Sequence, residues 1–191
     1  AHYMPLVRGG HRHPFTPTSW AIDWSPDALR HYRTDPKARF QNATFYFRTG
    51  LAVPMVTAGR ISASMLTGAV FDQGVVGVFP KDLRSLNFLL LYLNSDYVTK
   101  MKRIINPSAN NSANYLKRIL VPPLSPKILD DADDLVKCAR SAGWDSIRQD
   151  IEAFVTKIVG MPEITRQGTQ TNPKAVHVNR SKHLVKDRFE S

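Results

Sequence analysis

"SLNFLLLYLNSDYVTKMKRII", residues 85–105, is the stretch that decides the fold. Its large apolar residues recur every three or four positions, at Leu86, Leu90, Leu93, Tyr97, Met101 and Ile104. That spacing is typical of one face of a helix. Ser85 suits the N-cap, and the Lys100, Lys102 and Arg103 cluster suits a C-terminal turn. The pattern predicts one long helix over 86–105, with its leucines in the core.

Residues 42–80, upstream of this helix, are rich in Val, Phe, Tyr, Ile and Thr. Glycines interrupt them every few residues, at Gly50, Gly59, Gly68, Gly74 and Gly77. Short strands joined by tight turns have this composition. "AVFDQGVVGVF", residues 69–79, reads as a hairpin that turns near Asp72-Gln73-Gly74.

Two helices are predicted downstream. Ser125-Pro126 offers an N-cap followed by proline at the first helical position, and Gly143 ends this helix. Ser146 and Gln149 have the spacing of a capping box that opens a second helix, which Gly160 ends. We expect the first helix to expose four aspartates on a solvated face, Asp130, Asp131, Asp133 and Asp134, and to bury Cys138.

The predicted fold class is α+β: a twisted, mostly antiparallel β-rich body with one long buried helix, followed by two C-terminal helices. The β-rich body covers residues 1–123, the helical segment 124–163, and a basic, flexible tail 164–191.

Charge is distributed unevenly along these segments. Residues 1–123 hold 15 Lys/Arg against 6 Asp/Glu, whereas residues 124–163 hold 5 against 8. The chain as a whole has a net charge of +10. A basic body with an acidic segment behind it indicates a polyanionic partner for the body, such as nucleic acid, although a basic protein without such a partner has the same composition.

Several classes of protein are disfavoured by composition. The single cysteine excludes an internal disulfide framework and a multi-cysteine zinc site, and it fits a reducing cytosol. No run of about 20 apolar residues predicts a membrane span, and the first residues lack a signal-peptide core. We therefore expect a cytoplasmic protein without membrane contact. The missing initiator Met is consistent with a piece of a longer protein.

Candidate catalytic motifs are weak. Enzymes that methylate the adenine amine use an Asn-Pro-Pro-Tyr loop, whose ring stacks on the flipped base, but the tetrad here is Asn106-Pro107-Ser108-Ala109. The chain also lacks a Gly-rich strand-to-helix turn for a methyl-donor cofactor. We therefore predict no catalytic residue, cofactor or metal in this chain. His11 and His13 flank Arg12, which favours a basic loop lying against phosphates over a metal pair.

Four segments of the chain carry the resemblance to a known family, and they occur in this order: "YMPLVRGGHRHPFTPTSWAIDW", "NATFYFRTGLAVPMVTAGRISASMLTGAVFDQGVVGVFPKD", "LLLYLNSDYV" and "YLKRILVPPLSPKILDDADDLVKCARSAGWDS". Together they resemble the C-terminal target-recognition region of N6-adenine-specific DNA methyltransferases, especially those of BREX phage-defence systems and fused restriction–modification enzymes. The resemblance covers roughly residues 3–146. The residues just after the Gly-Gly pair, the Asn-rich loop and the last helix depart from the family pattern.

The resemblance implies a domain that reads double-stranded DNA beside a separate catalytic domain that uses S-adenosylmethionine. Three candidate DNA-binding surfaces follow from the residue types, since Lys and Arg neutralise phosphates and Asn pairs with adenine edges. They are the Asn-rich loop with Lys102, Arg103, Asn110, Asn111, Asn114, Lys117 and Arg118; the strand–turn residues Arg60, Ser62 and Ser64; and the Gly-Gly loop with Arg8, His11, Arg12 and His13. A solvated loop that caps the preceding helix is the alternative for the asparagines.

Two other functions stay open at this point. The acidic segment 124–159 could dock a catalytic domain or partner subunit, which predicts weak, salt-indifferent DNA binding. A metal-dependent nuclease built on His11 and His13 would instead bind a metal and cleave DNA alone.

Overall fold

The computed structural model describes residues 2–10 and 13–160, together with the backbone of 177–178. The strands are β1 (Tyr3–Val7), β2 (Ala21–Asp23), β3 (Gly50–Pro54), β4 (Ser64–Leu66), β5 (Val70–Phe71), β6 (Val75–Phe79) and β7 (His177–Val178). The helices are α1 (Pro26–Thr34), α2 (Leu86–Leu93), α3 (Asp96–Ile105), α4 (Ala113–Leu116), α5 (Pro126–Ala142) and α6 (Arg148–Val159). The α+β class is confirmed.

The strands form two sheets, ordered β2-β1-β5 and β4-β3-β6-β7. Only the β1–β5 pair is parallel among the pairings of the described strands. The predicted hairpin between β5 and β6 is wrong, because β5 pairs with β1 and β6 pairs with β3. The turn itself does form: the Asp72 carboxylate accepts from the Gly74 amide at 2.8 Å, and the chain crosses there from one sheet to the other.

The single helix predicted over 86–105 is two helices, α2 and α3. At the break, the Asn94 side chain pairs with the backbone of Ala63, accepting from its amide at 3.1 Å and donating to its carbonyl at 2.9 Å. Ser95 caps α3 by accepting from the Val98 amide. The chain therefore exchanges helical hydrogen bonds for contacts with the segment that enters β4.

The larger core cluster joins the second sheet to the helices. Helix α2 lies in it with Phe88, Leu90 and Leu91 fully buried, and α5 and α6 pack against α2. A smaller cluster contains Val7, Leu66, Phe71 and Phe79, with Phe45 and Tyr46 at its edge. Both sheets are thus fixed by apolar packing, and their connecting loops are left at the surface.

The C-terminal helices follow the predicted signals in part. Ser125 caps α5, and Gly143 ends it with a φ of 95°. The capping box is wrong, because Ser146 donates to the Gly143 carbonyl and α6 begins at Arg148 after a short 3-10 turn. Cys138 is exposed on α5, so its predicted place in the core is also wrong. The predicted tail, 164–191, lies outside the described residues apart from β7.

Candidate nucleic-acid interface

Four connecting segments meet side by side at one end of the two sheets. Strands β1, β3 and β5 end there, and β6 begins there. Backbone hydrogen bonds then continue between the loops: the Asp72 amide donates to Val7 at 3.1 Å, Met55 to Gly74 at 2.8 Å, and Asn111 to Met55 at 2.7 Å. We call this surface the loop end, defined by residues 8–10, 55–60, 72–74 and 106–112. It brings together segments from all three predicted DNA-binding surfaces.

Two glycines allow the first pair of segments to touch. A Cβ atom on Gly9 would lie 2.7 Å from the Gly74 carbonyl oxygen, and one on Gly74 would lie 3.0 Å from the Gly9 nitrogen. The distance at Gly9 is too short for a non-bonded carbon, and the one at Gly74 is tight, so a side chain at Gly9 would force the two backbones apart. The backbones of the Gly-Gly loop and the Asp72–Gly74 turn are therefore in direct contact.

The Asn-rich loop pairs with the chain just beyond the end of β3. Asn110 forms an isolated antiparallel bridge with Val56, and the Thr57 amide donates to the Ala109 carbonyl at 2.9 Å. Asn110 and Asn114 are exposed. Asn111 is only 1% exposed and donates to the Pro54 carbonyl and the Thr57 hydroxyl. Its expected place at a DNA surface is corrected: its amide holds the loop against the end of β3.

The four cations around this loop divide into two groups. Arg103, Lys117 and Arg118 are exposed. Lys102 is 4% exposed and donates to the Ser108 carbonyl inside the loop, so the expectation of a phosphate contact is corrected. Burial and the neighbouring Arg103 lower the pKa of Lys102. Lys102 therefore braces the loop, while the other three cations face solvent.

The strand–turn candidates Arg60, Ser62 and Ser64 do not form an exposed polar surface. Ser62 and Ser64 are 5% and 3% exposed, so their predicted position at a DNA groove is corrected. Arg60 forms ion pairs with Asp96 and with Glu152, the latter at 2.6 Å. Glu152 also accepts from the Asp96 amide at the start of α3. Because it already contacts two carboxylates, Arg60 ties the loop end to α3 and α6.

The Gly-Gly loop keeps two described candidates at the surface. The Arg8 guanidinium lies 4.8 Å from the centre of the Trp20 ring, and its Nε is 3.4 Å from the Asp72 carboxylate. His13 is exposed and lines a cleft of about 450 Å³ with Arg60, Ser62 and Trp144. His11 and Arg12 lie outside the described residues.

Gln73 of the loop end and its partner Arg39 were not among the sequence-derived candidates. The Arg39 guanidinium donates to the Gln73 side-chain oxygen at 2.8 Å, and both residues are exposed. Gln73 stands in the predicted turn, so its position there was a usable signal. Arg39 is 34 residues away in sequence, and nothing local indicates that it meets this turn.

Within residues 2–10 and 13–160, no three His, Cys, Asp or Glu side chains are grouped as metal ligands. The nuclease alternative rests partly on His11, which is outside those residues. Over the same part of the chain, no helix is long and apolar enough to cross a membrane.

Comparison with known proteins gives a distant relative but no family. No family model matches the sequence. The adenine-specific methyltransferase PglX of Lacticaseibacillus casei (strain Zhang) is 26% identical to this chain over 120 residues. The match covers 62% of the chain but 10% of that protein, so the chain corresponds to a small part of its relative's length. The chain is therefore similar to a region of an adenine-specific methyltransferase.

Asn111→Ala should destabilise the protein, because Asn111 has a structural role in the Asn-rich loop. Removing its amide leaves the Pro54 carbonyl without this buried partner, which typically costs about 1–3 kcal/mol in unfolding free energy. Exposed Asn114, which accepts from Lys117, provides the matched control: Asn114→Ala should change stability by less than about 0.5 kcal/mol. Urea denaturation of both variants measures this, and equal stabilities would contradict the bracing role.

Proposed function

We propose that this chain recognises specific sequences in double-stranded DNA for an adenine-N6 DNA methyltransferase of a restriction–modification or phage-defence system. The observation that carries the proposal is the loop end, where exposed basic and amide side chains from separate parts of the chain converge. The distant similarity to an adenine-specific methyltransferase supports the same reading. Methyl transfer belongs to a separate catalytic domain.

The loop end and the residues that flank it in the chain or contact it supply both components of DNA recognition. Arg8, Arg103, Lys117 and Arg118 are exposed cations that can neutralise phosphates and so provide affinity for any sequence. Asn110 and Asn114 expose amides of the type that pairs with base edges. The buried Asn111 and Lys102 hold this loop in place, which lowers the conformational cost of binding.

The methyl donor implied for the parent enzyme does not fit the described residues. "FDQGVVG", residues 71–77, is the Gly-rich candidate, but it connects β5 to β6. A phosphate- or nucleotide-binding turn of the usual kind leads from a strand into a helix N-terminus, which is missing here. We therefore assign S-adenosylmethionine to the catalytic domain and no catalytic step to this chain.

A docking function is the second candidate. Leu120 and Ile104 are large apolar residues that are 77% and 79% exposed, as expected for a surface that contacts another protein. Some of the acidic side chains of α5 already form ion pairs within the chain: Asp130 with Arg84, and Asp134 with Lys137. A recognition domain must also contact its catalytic domain, so this candidate and the proposal are compatible.

Fluorescence anisotropy with a random-sequence duplex, titrated from low to physiological salt, tests the proposal. We expect binding at low salt whose log–log salt slope is about −0.9 for each phosphate contact. A charge-reversal variant, Arg103→Glu with Lys117→Glu, should weaken binding and flatten the slope. Arg30→Glu with Arg33→Glu, two exposed arginines on α1 that are not part of the loop end, is the matched control. Salt-indifferent binding, or none at low salt, would contradict the proposal.

A further inference from the structure

The Asp72–Gly74 turn carries a chain of side-chain contacts, of which the proposed function uses Arg8 alone. Arg39 donates to Gln73, Arg8 contacts Asp72, and the Arg8 guanidinium lies against Trp20. Arg8 and Arg39 thus reach the turn from separate parts of the chain, and Trp20 packs against Arg8. Gln73 stands at the tip of the turn and is exposed.

The turn is rigid although it is at the surface. The Asp72 carboxylate accepts from the Gly74 amide at 2.8 Å and contacts Arg8 on its other oxygen. Gly74 is held on one side by Gly9 and on the other by the Met55 amide, which donates to its carbonyl. A side chain on such a turn is presented in one orientation, which is what sequence reading requires.

Arg39 is held in place by its own loop. Its φ of 48° is in the left-handed region, which non-glycine residues avoid. The residues beside it are anchored: Phe40 packs against Trp24 and Tyr46, and the Tyr46 hydroxyl donates to the Gln41 carbonyl at 2.7 Å. The aromatic cluster beside Arg39 therefore holds its backbone in a conformation that arginine rarely adopts.

The pair has the chemistry of base recognition. Glutamine reads the N6 and N7 edge of adenine with one donor and one acceptor, and arginine reads the O6 and N7 edge of guanine with two donors. Arg39 donates to the Gln73 side-chain oxygen. The Gln73 amide nitrogen is not part of that contact, and it is the atom that would donate to N7 of adenine. Gln73 is exposed on this turn and Arg39 is exposed beside it, so both side chains can reach base edges in the major groove, which is about 12 Å wide.

We propose that Gln73 and Arg39 are specificity-determining residues that read an adenine and a neighbouring guanine in the major groove, with Asp72, Arg8 and Trp20 positioning the turn. This inference rests on the proposed function, and it adds a reading surface separate from the Asn-rich loop. It assigns base readout to the turn, whereas phosphate contacts come from the surrounding cations.

Selection from a pool of random duplexes tests this inference, with the 191-residue chain and three variants. For Gln73→Ala we expect the preference at one base pair to fall by about 5- to 100-fold. Its salt slope should stay at the wild-type value, because an amide neutralises no phosphate. Arg39→Ala should relax an adjacent position. Gln149→Ala, an exposed glutamine on α6, is the matched control and should select the wild-type sequences.

The outcomes separate the inference from the proposed function. If Gln73→Ala keeps the wild-type preference at every position, the inference is overturned while DNA binding stands. If the wild-type chain binds salt-dependently but selects no sequence, the inference and the sequence-specific part of the proposed function both fail, and only non-specific DNA binding stands. If no duplex binds at low salt, the proposed function fails and the inference fails with it. Circular dichroism of each variant shows that lost preference does not arise from unfolding.

Discussion

Asn94→Ala should lower the free energy of unfolding by about 3 kcal/mol, the largest effect that we expect for a single polar side chain. Asn94 is buried and makes three hydrogen bonds: two with the backbone of Ala63 and one, at 2.8 Å, with the Leu90 carbonyl. Truncation leaves the Ala63 amide and carbonyl without this partner in the protein interior. Each such buried group typically costs about 1–3 kcal/mol.

Urea denaturation followed by circular dichroism measures this loss. Asn87→Ala is the matched control, because Asn87 lies on α2, the helix that Asn94 directly follows, and donates to the Asp133 carboxylate near the surface. We expect the control to cost less than about 1 kcal/mol. If the two variants unfold at the same urea concentration, the Asn94 contacts are not what fixes the segment before β4.

The same asparagine explains why the helix prediction was wrong. Apolar spacing over 86–105 is continuous across Asn94, and a helix satisfies backbone groups within itself. The segment before β4, however, presents backbone groups at Ala63 that need partners from outside it. Asn94 and Ser95 supply polar contacts there, and the helix restarts after Ser95. Periodicity detects the buried face but not a tertiary hydrogen bond that interrupts it.

Local signals predicted what local interactions control. The Ser125-Pro126 start of α5 and its Gly143 end are confirmed, because capping depends on adjacent backbone groups. The same signal, Ser25-Pro26, precedes α1, so that helix could also have been predicted. Strand pairing could not, since β5 lies beside β1 through contacts more than sixty residues apart in sequence.

The loop end, too, could be predicted from the sequence only in part. Residue type suggested which loops carry cations and amides, and the structure places those loops together. Residue type did not show which side chains are buried. Ser62 and Ser64 alternate with Ala63 in a segment that is buried on both faces, and Asn111 is enclosed by β3. A buried asparagine and an exposed one are the same residue type in the sequence, so only the fold shows which of them is buried.

Gly9→Ala should destabilise the protein by about 1–3 kcal/mol and alter its DNA selectivity. The added methyl group would lie 2.7 Å from the Gly74 carbonyl oxygen, so the two backbones must move apart. That movement shifts the turn bearing Gln73 while leaving every charge in place. We therefore expect weaker sequence preference with an unchanged salt slope, because the phosphate-contacting cations are retained.

Gly59→Ala is the matched control for this change. A Cβ atom at Gly59 meets nothing within 4 Å, and its φ is outside the left-handed region, although it belongs to the same loop end. We expect unchanged or slightly higher stability, by up to about 1 kcal/mol, since alanine restricts the unfolded chain. Thermal unfolding and duplex selection on both variants make the comparison. If Gly9→Ala retains wild-type selectivity despite lower stability, contact between these two loops does not position the reading surface.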